Sequence, residues 1–148
     1  MKSIHILLVE DNEGDILLTQ EAFENAKENN TLSVVRDGQE AIDFLKKQGN
    51  YSNRTLPDLL LLDINLPKKS GIEVLKFIKE NENLLHIPVI MLSTSSSETD
   101  INICYENHAN CYITKPVSVD KLFHIFSSIE NFWLSIATLP SKCSSNDK

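Results

Sequence analysis

Residues 58–71 read Asp-Leu-Leu-Leu-Leu-Asp-Ile-Asn-Leu-Pro-Lys-Lys-Ser-Gly. Four leucines in a row between two aspartates show neither the alternation of a half-buried strand nor a helical stripe. The span Asp58 to Leu62 therefore reads as a short strand buried on both faces, with Asp63 at its carboxyl end. Ile72 to Lys79 follows as a helix, because Ile72, Leu75 and Ile78 fall on one face. The unit is a strand, an acid at the strand's end, and a helix.

The same unit recurs on either side. Upstream, Ile4 to Val9 is an aliphatic strand, and Gly14 to Lys27 carries Ile16, Leu17, Ala22, Phe23 and Ala26 at helical positions. Leu32 to Val35 is a second strand, and Gly38 to Lys47 a second helix through Ala41, Ile42 and Leu45. Residues 49–57 are rich in turn formers and read as a loop. Downstream, Pro88 opens the strand Val89 to Leu92, and residues 97–107 are helical. Cys111 to Ile113 is a strand before Lys115-Pro116, and Val119 to Ile136 is one long helix. Five strand–helix units with doubly buried strands imply an α/β domain: a doubly wound parallel sheet with helices on both faces. Its crevice lies beyond the carboxyl ends of the strands.

Those ends carry chemistry. The first strand ends in Glu10-Asp11, the third in Asp63, the fourth in Ser93-Thr94 and the fifth in Thr114-Lys115-Pro116. A parallel sheet gathers them on one edge. Three crowded carboxylates repel, and a divalent cation removes the conflict. An oxygen-only ligand set without histidine or thiolate suits Mg²⁺. Asp63 can attack phosphorus, since carboxylates form aspartyl-phosphates. Lys115 brings a second positive charge, and the Ser93 hydroxyl can bond arriving phosphoryl oxygens. Taken singly, Glu-Asp before a helix is a cap, and Lys-Pro is a turn. The ordered set at four strand ends is what points to phosphoryl chemistry.

The bulk numbers agree. A chain of 148 residues fits one domain of ordinary size. With 21 acids against 14 bases, its formal charge of −7 disfavours direct nucleic-acid binding. The odd set Cys104, Cys111 and Cys143 has no CxxC spacing and reads as reduced thiols of a cytoplasmic protein. The N-terminal apolar run is too short for a secretory signal, and no run reaches membrane-spanning length. Residues 1–140 are expected to form the domain, with its last helix extended, and residues 141–148 a flexible tail.

The segments Ile-Leu-Leu-Val-Glu-Asp-Asn (6–12), Leu-Leu-Leu-Leu-Asp-Ile-Asn-Leu-Pro-Lys-Lys-Ser-Gly (59–71), Pro-Val-Ile-Met-Leu-Ser-Thr (88–94) and Tyr-Ile-Thr-Lys-Pro (112–116) resemble the receiver domain of two-component response regulators. The resemblance covers residues 4 to about 135 and implies a flavodoxin-like sheet of strand order 2-1-3-4-5. It implies Asp63 as phospho-acceptor, with Ser93 and Lys115 completing the reactive set. Glu10, Asp11, Asp63 and the Asn65 carbonyl are the implied Mg²⁺ ligands, Ser93 and Tyr112 the implied switch pair. It also implies a cis Lys115–Pro116 bond. Within the family, Asp63 to Lys69, the long loop before the third strand, Phe132-Trp133-Leu134 and Leu139-Pro140 resemble small single-domain regulators paired with bacterial phytochrome-type histidine kinases. A sensor histidine kinase is the implied partner. Asn65 and Ser95 are expected to tune self-hydrolysis.

On these grounds the sequence reads as a phosphorylation switch, without an enzyme's turnover, whose own surface is the output. The helix stripe Leu122, Phe126, Ile129, Trp133 and Ile136 runs past the usual receiver end, and a homodimer through that extension is expected. Three other readings fare worse. An aspartyl-phosphate hydrolase of the haloacid dehalogenase type would carry Asp-x-Asp at the first strand. A flavin module would meet repulsion at Glu10-Asp11-Asn12-Glu13. A degenerate receiver would lack part of the set Asp11, Asp63, Ser93 and Lys115.

Overall fold

The computed structural model describes residues 3–140, so the expectation for the tail 141–148 falls outside it. Five strands form one parallel sheet: β1 (Ile4–Val9), β2 (Asn30–Val35), β3 (Leu59–Leu62), β4 (Val89–Ser93) and β5 (Cys111–Thr114). Their order is β2-β1-β3-β4-β5, as the family resemblance implied. In register, Leu7 pairs with Leu60, Leu60 with Val89 and Met91 with Tyr112.

Five helices cover the sheet: α1 (Glu13–Glu24), α2 (Gly38–Lys46), α3 (Gly71–Lys79), α4 (Glu98–Glu106) and α5 (Val119–Glu130). Alternate residues of the central strands feed two separate cores. Leu7, Leu60, Leu62 and Met91 pack with α2, α3 and α4. Ile6, Leu8, Leu61 and Leu92 pack with α1 and α5. All four leucines of β3 are wholly buried, each contributing about 2 kcal/mol. This is why the quartet shows no alternation: both sheet faces are dry.

Each of these five helices opens on a polar side chain that caps its first turn. Asn12, Asp37, Ser70, Ser97 and Ser118 each accept from the backbone N–H three residues on, and Ser70 forms a full capping box with Glu73. Two glycines set the spacing of the loops. A methyl on Gly38 would sit 1.9 Å from the Lys69 carbonyl oxygen, and one on Gly71 would sit 1.9 Å from the Asp63 carbonyl oxygen. Gly38 N–H also donates to Pro67 C=O at 3.2 Å. The loop between β3 and α3 is therefore clamped at both ends.

Several boundaries depart from the sequence reading. β2 begins at Asn30, because Asn30 and Thr31 pair with Ile4 and His5 along the ladder despite their polarity. α1 stops at Glu24, short of Lys27, with the Asn25 N–H returning to Glu21 and Phe23 carbonyls. The long last helix is two windings in series. After Glu130 the chain widens into a π-helical segment, Asn131–Ile136, and Ala137 N–H reaches back five residues to Phe132 C=O. The wider turn rotates the buried face. Leu134 is buried in place of Ile136, which is 64% exposed, while Trp133 stays half-buried. No described helix is long and apolar enough to cross a membrane.

Candidate phosphoryl-acceptor pocket

The ends of β1, β3, β4 and β5 meet at one edge of the sheet. Glu10 N–H donates to Val35 C=O, Asp63 N–H to Val9 C=O, and Lys115 N–H to Ser93 C=O at 2.7 Å. The ladder thus continues one residue past each strand and carries Glu10, Asp63 and Lys115 into register. Glu10, Asp63, Ser93 and Lys115 are all buried, and Asp11 is exposed at the rim.

Glu10, Asp11 and Asp63 each bring a carboxylate oxygen to within 4.8 Å of the other two. The donor set is oxygen alone, which fits a hard divalent cation. Lys115 balances part of the charge. Its ammonium donates to Glu10 Oε1 and to Asp15 Oδ2 at 2.9 Å, and stands 3.8 Å from Asp63 Oδ2. Glu10 Oε2 also accepts from Asn12 N–H at 3.1 Å.

The electrostatics follow from burial. Loss of solvent pushes the Asp63 carboxyl up to about 6; Lys115 opposes this, Glu10 adds to it, and the N–H groups of Ile64 and Asn65 oppose it. Ile64 N–H donates to Asp63 Oδ1 at 2.8 Å. For Lys115, burial pulls the ammonium down, but Glu10, Asp63 and Asp15 together outweigh it and leave it above its ordinary range. Asp63 is thus held as a poorly solvated carboxylate, the state suited to a nucleophile once added positive charge keeps it ionised.

Ser93, Ser95 and Tyr112 form a second tier behind the carboxylates. Ser95 N–H donates to Ser93 Oγ at 3.1 Å, and Ser95 Oγ donates to Asp100 Oδ2 at 2.7 Å. The Tyr112 hydroxyl donates to Ser95 C=O at 2.8 Å. Ser95 therefore links Ser93 to Tyr112 through its own backbone. Asn65 lies exposed on the loop two residues beyond Asp63.

Two outcomes differ from expectation. Among the described residues no peptide bond is cis, so Lys115–Pro116 is trans, an isomer the tertiary amide of an X-Pro bond readily accepts. Asp15 belongs to the pocket although no cue to it is legible in the sequence. As an acid in the first turn of α1 it has an ordinary helix-dipole role, and its partner Lys115 is 100 residues away. The described cysteines, Cys104 and Cys111, are free and lie in different cores. Cys143 lies outside the described residues.

Comparison with known proteins gives a consistent result. Residues 6–127 match the response regulator receiver domain. The chain is 48% identical over 136 residues to the response regulator Rcp1 of Synechocystis sp., covering 92% of each. It is 42% identical over 129 residues to the probable methanogenesis regulatory protein FilR2 of Methanothrix harundinacea, covering 87% of this chain and 83% of that one. Among solved structures, the phosphorylated cyanobacterial phytochrome response regulator RcpA superposes with a TM-score of 0.92 at 52% identity, covering 95% of this chain and all of that one. The Mn²⁺-bound form of Rcp1 superposes equally well at 47% identity, covering 93% of this chain and 99% of that one.

Proposed function

Since the chain belongs to the response regulator receiver family, we propose that it accepts a phosphoryl group from a partner histidine kinase on the Asp63 carboxylate. Glu10, Asp11, Asp63 and the Asn65 carbonyl would hold Mg²⁺. The observation that carries this reading is the convergence of Glu10, Asp11 and Asp63, with Lys115 among them, at one end of the sheet.

In the transfer, an Asp63 carboxylate oxygen forms a bond to phosphorus as the donor's P–N bond breaks and its electron pair leaves with the imidazole. A bound magnesium ion supplies positive charge against the phosphoryl oxygens. Lys115 supplies a further cation from the β5 side. The Ser93 hydroxyl donates to a phosphoryl oxygen, which draws on its bond with Ser95 N–H. Tyr112 follows through Ser95, so the surface around β4, α4, β5 and α5 changes population. Asn65 and Ser95 flank the acceptor and tune self-hydrolysis. No observation favours the haloacid dehalogenase alternative, for Asn65 stands two residues past Asp63 and the acceptor follows the third strand.

The test is incubation with acetyl phosphate and Mg²⁺, read by intact mass. A phosphate adduct is expected on the wild type and absent from Asp63→Asn. An adduct on both proteins refutes the site.

The likeness to Rcp1 and RcpA supports a phytochrome-type kinase as donor. Phosphotransfer from such a kinase should outpace that from an unrelated histidine kinase. A homodimer through the C-terminal extension is supported by the exposed Ile136 and by the exposed Phe132 beside the edge strand β5. There an apolar groove of about 440 Å³ is lined by Cys111, Ile113, Ile125, Ile129, Phe132 and Trp133. A monomer by light scattering at high micromolar concentration, with and without a phosphoryl mimic, sinks that part. The charge of −7 supports a protein that does not bind nucleic acid, and the odd-numbered set of cysteines supports a cytoplasmic one.

A further inference from the structure

Asp15 approaches the pocket from the first turn of α1. Its carboxylate lies 2.9 Å from Lys115 Nζ, whereas the Asp63 carboxylate, at 3.8 Å, is beyond hydrogen-bond range. The ammonium's near partners are therefore Glu10 and Asp15, not the acceptor. The Asp15 backbone is held on both sides. Its N–H donates to Asn12 Oδ1 at 2.9 Å, and its C=O accepts from the fully buried Thr19 hydroxyl at 2.7 Å. The Lys115 side chain is only 4% exposed, so water screens these contacts weakly.

We infer that Asp15 is a positioning residue that tethers Lys115 toward α1 and competes with the Asp63 phosphoryl group for its ammonium. The inference rests on the reading of Asp63 as acceptor. To the extent that a phosphoryl group on Asp63 draws Nζ closer than its present 3.8 Å from that carboxylate, it works against the hold of Asp15. Part of the binding energy for the phosphoryl group is spent on that exchange. Asp15 thus biases the domain toward its unphosphorylated state.

Beryllofluoride with Mg²⁺, titrated by calorimetry, reads this competition. Asp15→Asn should bind the mimic roughly fivefold more tightly than wild type, about 1 kcal/mol at 1.4 kcal/mol per tenfold. Asp15→Glu, which keeps the charge, should stay within about twofold of wild type, and in a Lys115→Met background Asp15→Asn should change affinity by less than about twofold. No gain, or a loss, in Asp15→Asn overturns the inference. An equal gain in the Lys115→Met background also overturns it, since that is simple repulsion between Asp15 and the mimic. Should Lys115→Met fail to fold, the gain is followed in about 1 M salt, where the screening length falls to about 3 Å. A gain that persists there supports the tether, and one that vanishes overturns it. Wild type that ignores beryllofluoride, or binds it equally as Asp63→Asn, refutes the acceptor reading and the tether with it.

Discussion

Replacing Asp63 by asparagine should stabilise the metal-free protein. Burial raises the Asp63 carboxyl from 3.8 to about 6, so the folded state binds its proton more tightly than the unfolded chain does. The sign follows from linkage: a carboxyl raised in the native state favours folding at low pH, and that contribution is lost as pH rises through the native value. At about 1.4 kcal/mol per tenfold change in proton affinity, this rise amounts to about 3 kcal/mol at pH 7.5, with about half of that at pH 5. The asparagine side chain carries no charge, and its amide oxygen can still accept the Ile64 N–H that now bonds Asp63 Oδ1. Urea denaturation in the presence of a chelator, at both pH values, measures the difference. Magnesium at a hundred times its dissociation constant should return about 2.7 kcal/mol to the wild type and little to the variant, closing the gap. A variant less stable than wild type without metal at pH 7.5, or a gap independent of pH, refutes the reasoning.

Three further outcomes can be checked by denaturation and phosphorylation assays. Gly71→Ala forces a methyl against the Asp63 carbonyl oxygen and should cost about 3 kcal/mol or more in thermal unfolding. Leu134→Ala should cost about 2–3 kcal/mol and Ile136→Ala less than about 0.5 kcal/mol; the reverse ranking would mean that the segment continues α5 without widening. Tyr112→Phe removes the hydroxyl's bond to Ser95 C=O and should lower stability by about 1 kcal/mol, while acetyl phosphate still labels Asp63.

The central strands and the acidic ends were readable because their causes are local to the sequence. Leu59 to Leu62 is too short a run for a buried helix and fits a doubly buried strand, and carboxylates at the carboxyl ends of neighbouring parallel strands share an edge. The last helix was less readable, since apolar residues at 132, 133, 134 and 136 present a face in either winding, and periodicity cannot choose between them. β2 hid its first residues because Asn30 and Thr31 are held by backbone pairing at an edge strand, where side-chain polarity costs nothing. Asp15 was invisible for another reason: its ion pair with Lys115 exists only once α1 and β5 are brought to the same corner. The Lys115–Pro116 isomer leaves no mark in composition, and the family expectation did not hold there.

The contacts of Gly38 and Gly71 also decide where a disturbance at Asp63 can travel. The span 64–71 has backbone against backbone at both ends, without room for one methyl group. Across the pocket, residues 94–97 hang on hydroxyl groups, with Ser95 shared among Ser93, Asp100, Ser97 and Tyr112. A hydroxyl can change partners by turning one bond, whereas a closely packed backbone has less room to shift. In mechanical terms the pocket has a hard wall and a compliant one. The first is the fulcrum and the second the free arm, so a disturbance at Asp63 is expected to reach α4 and β5 before it reaches the loop 64–71.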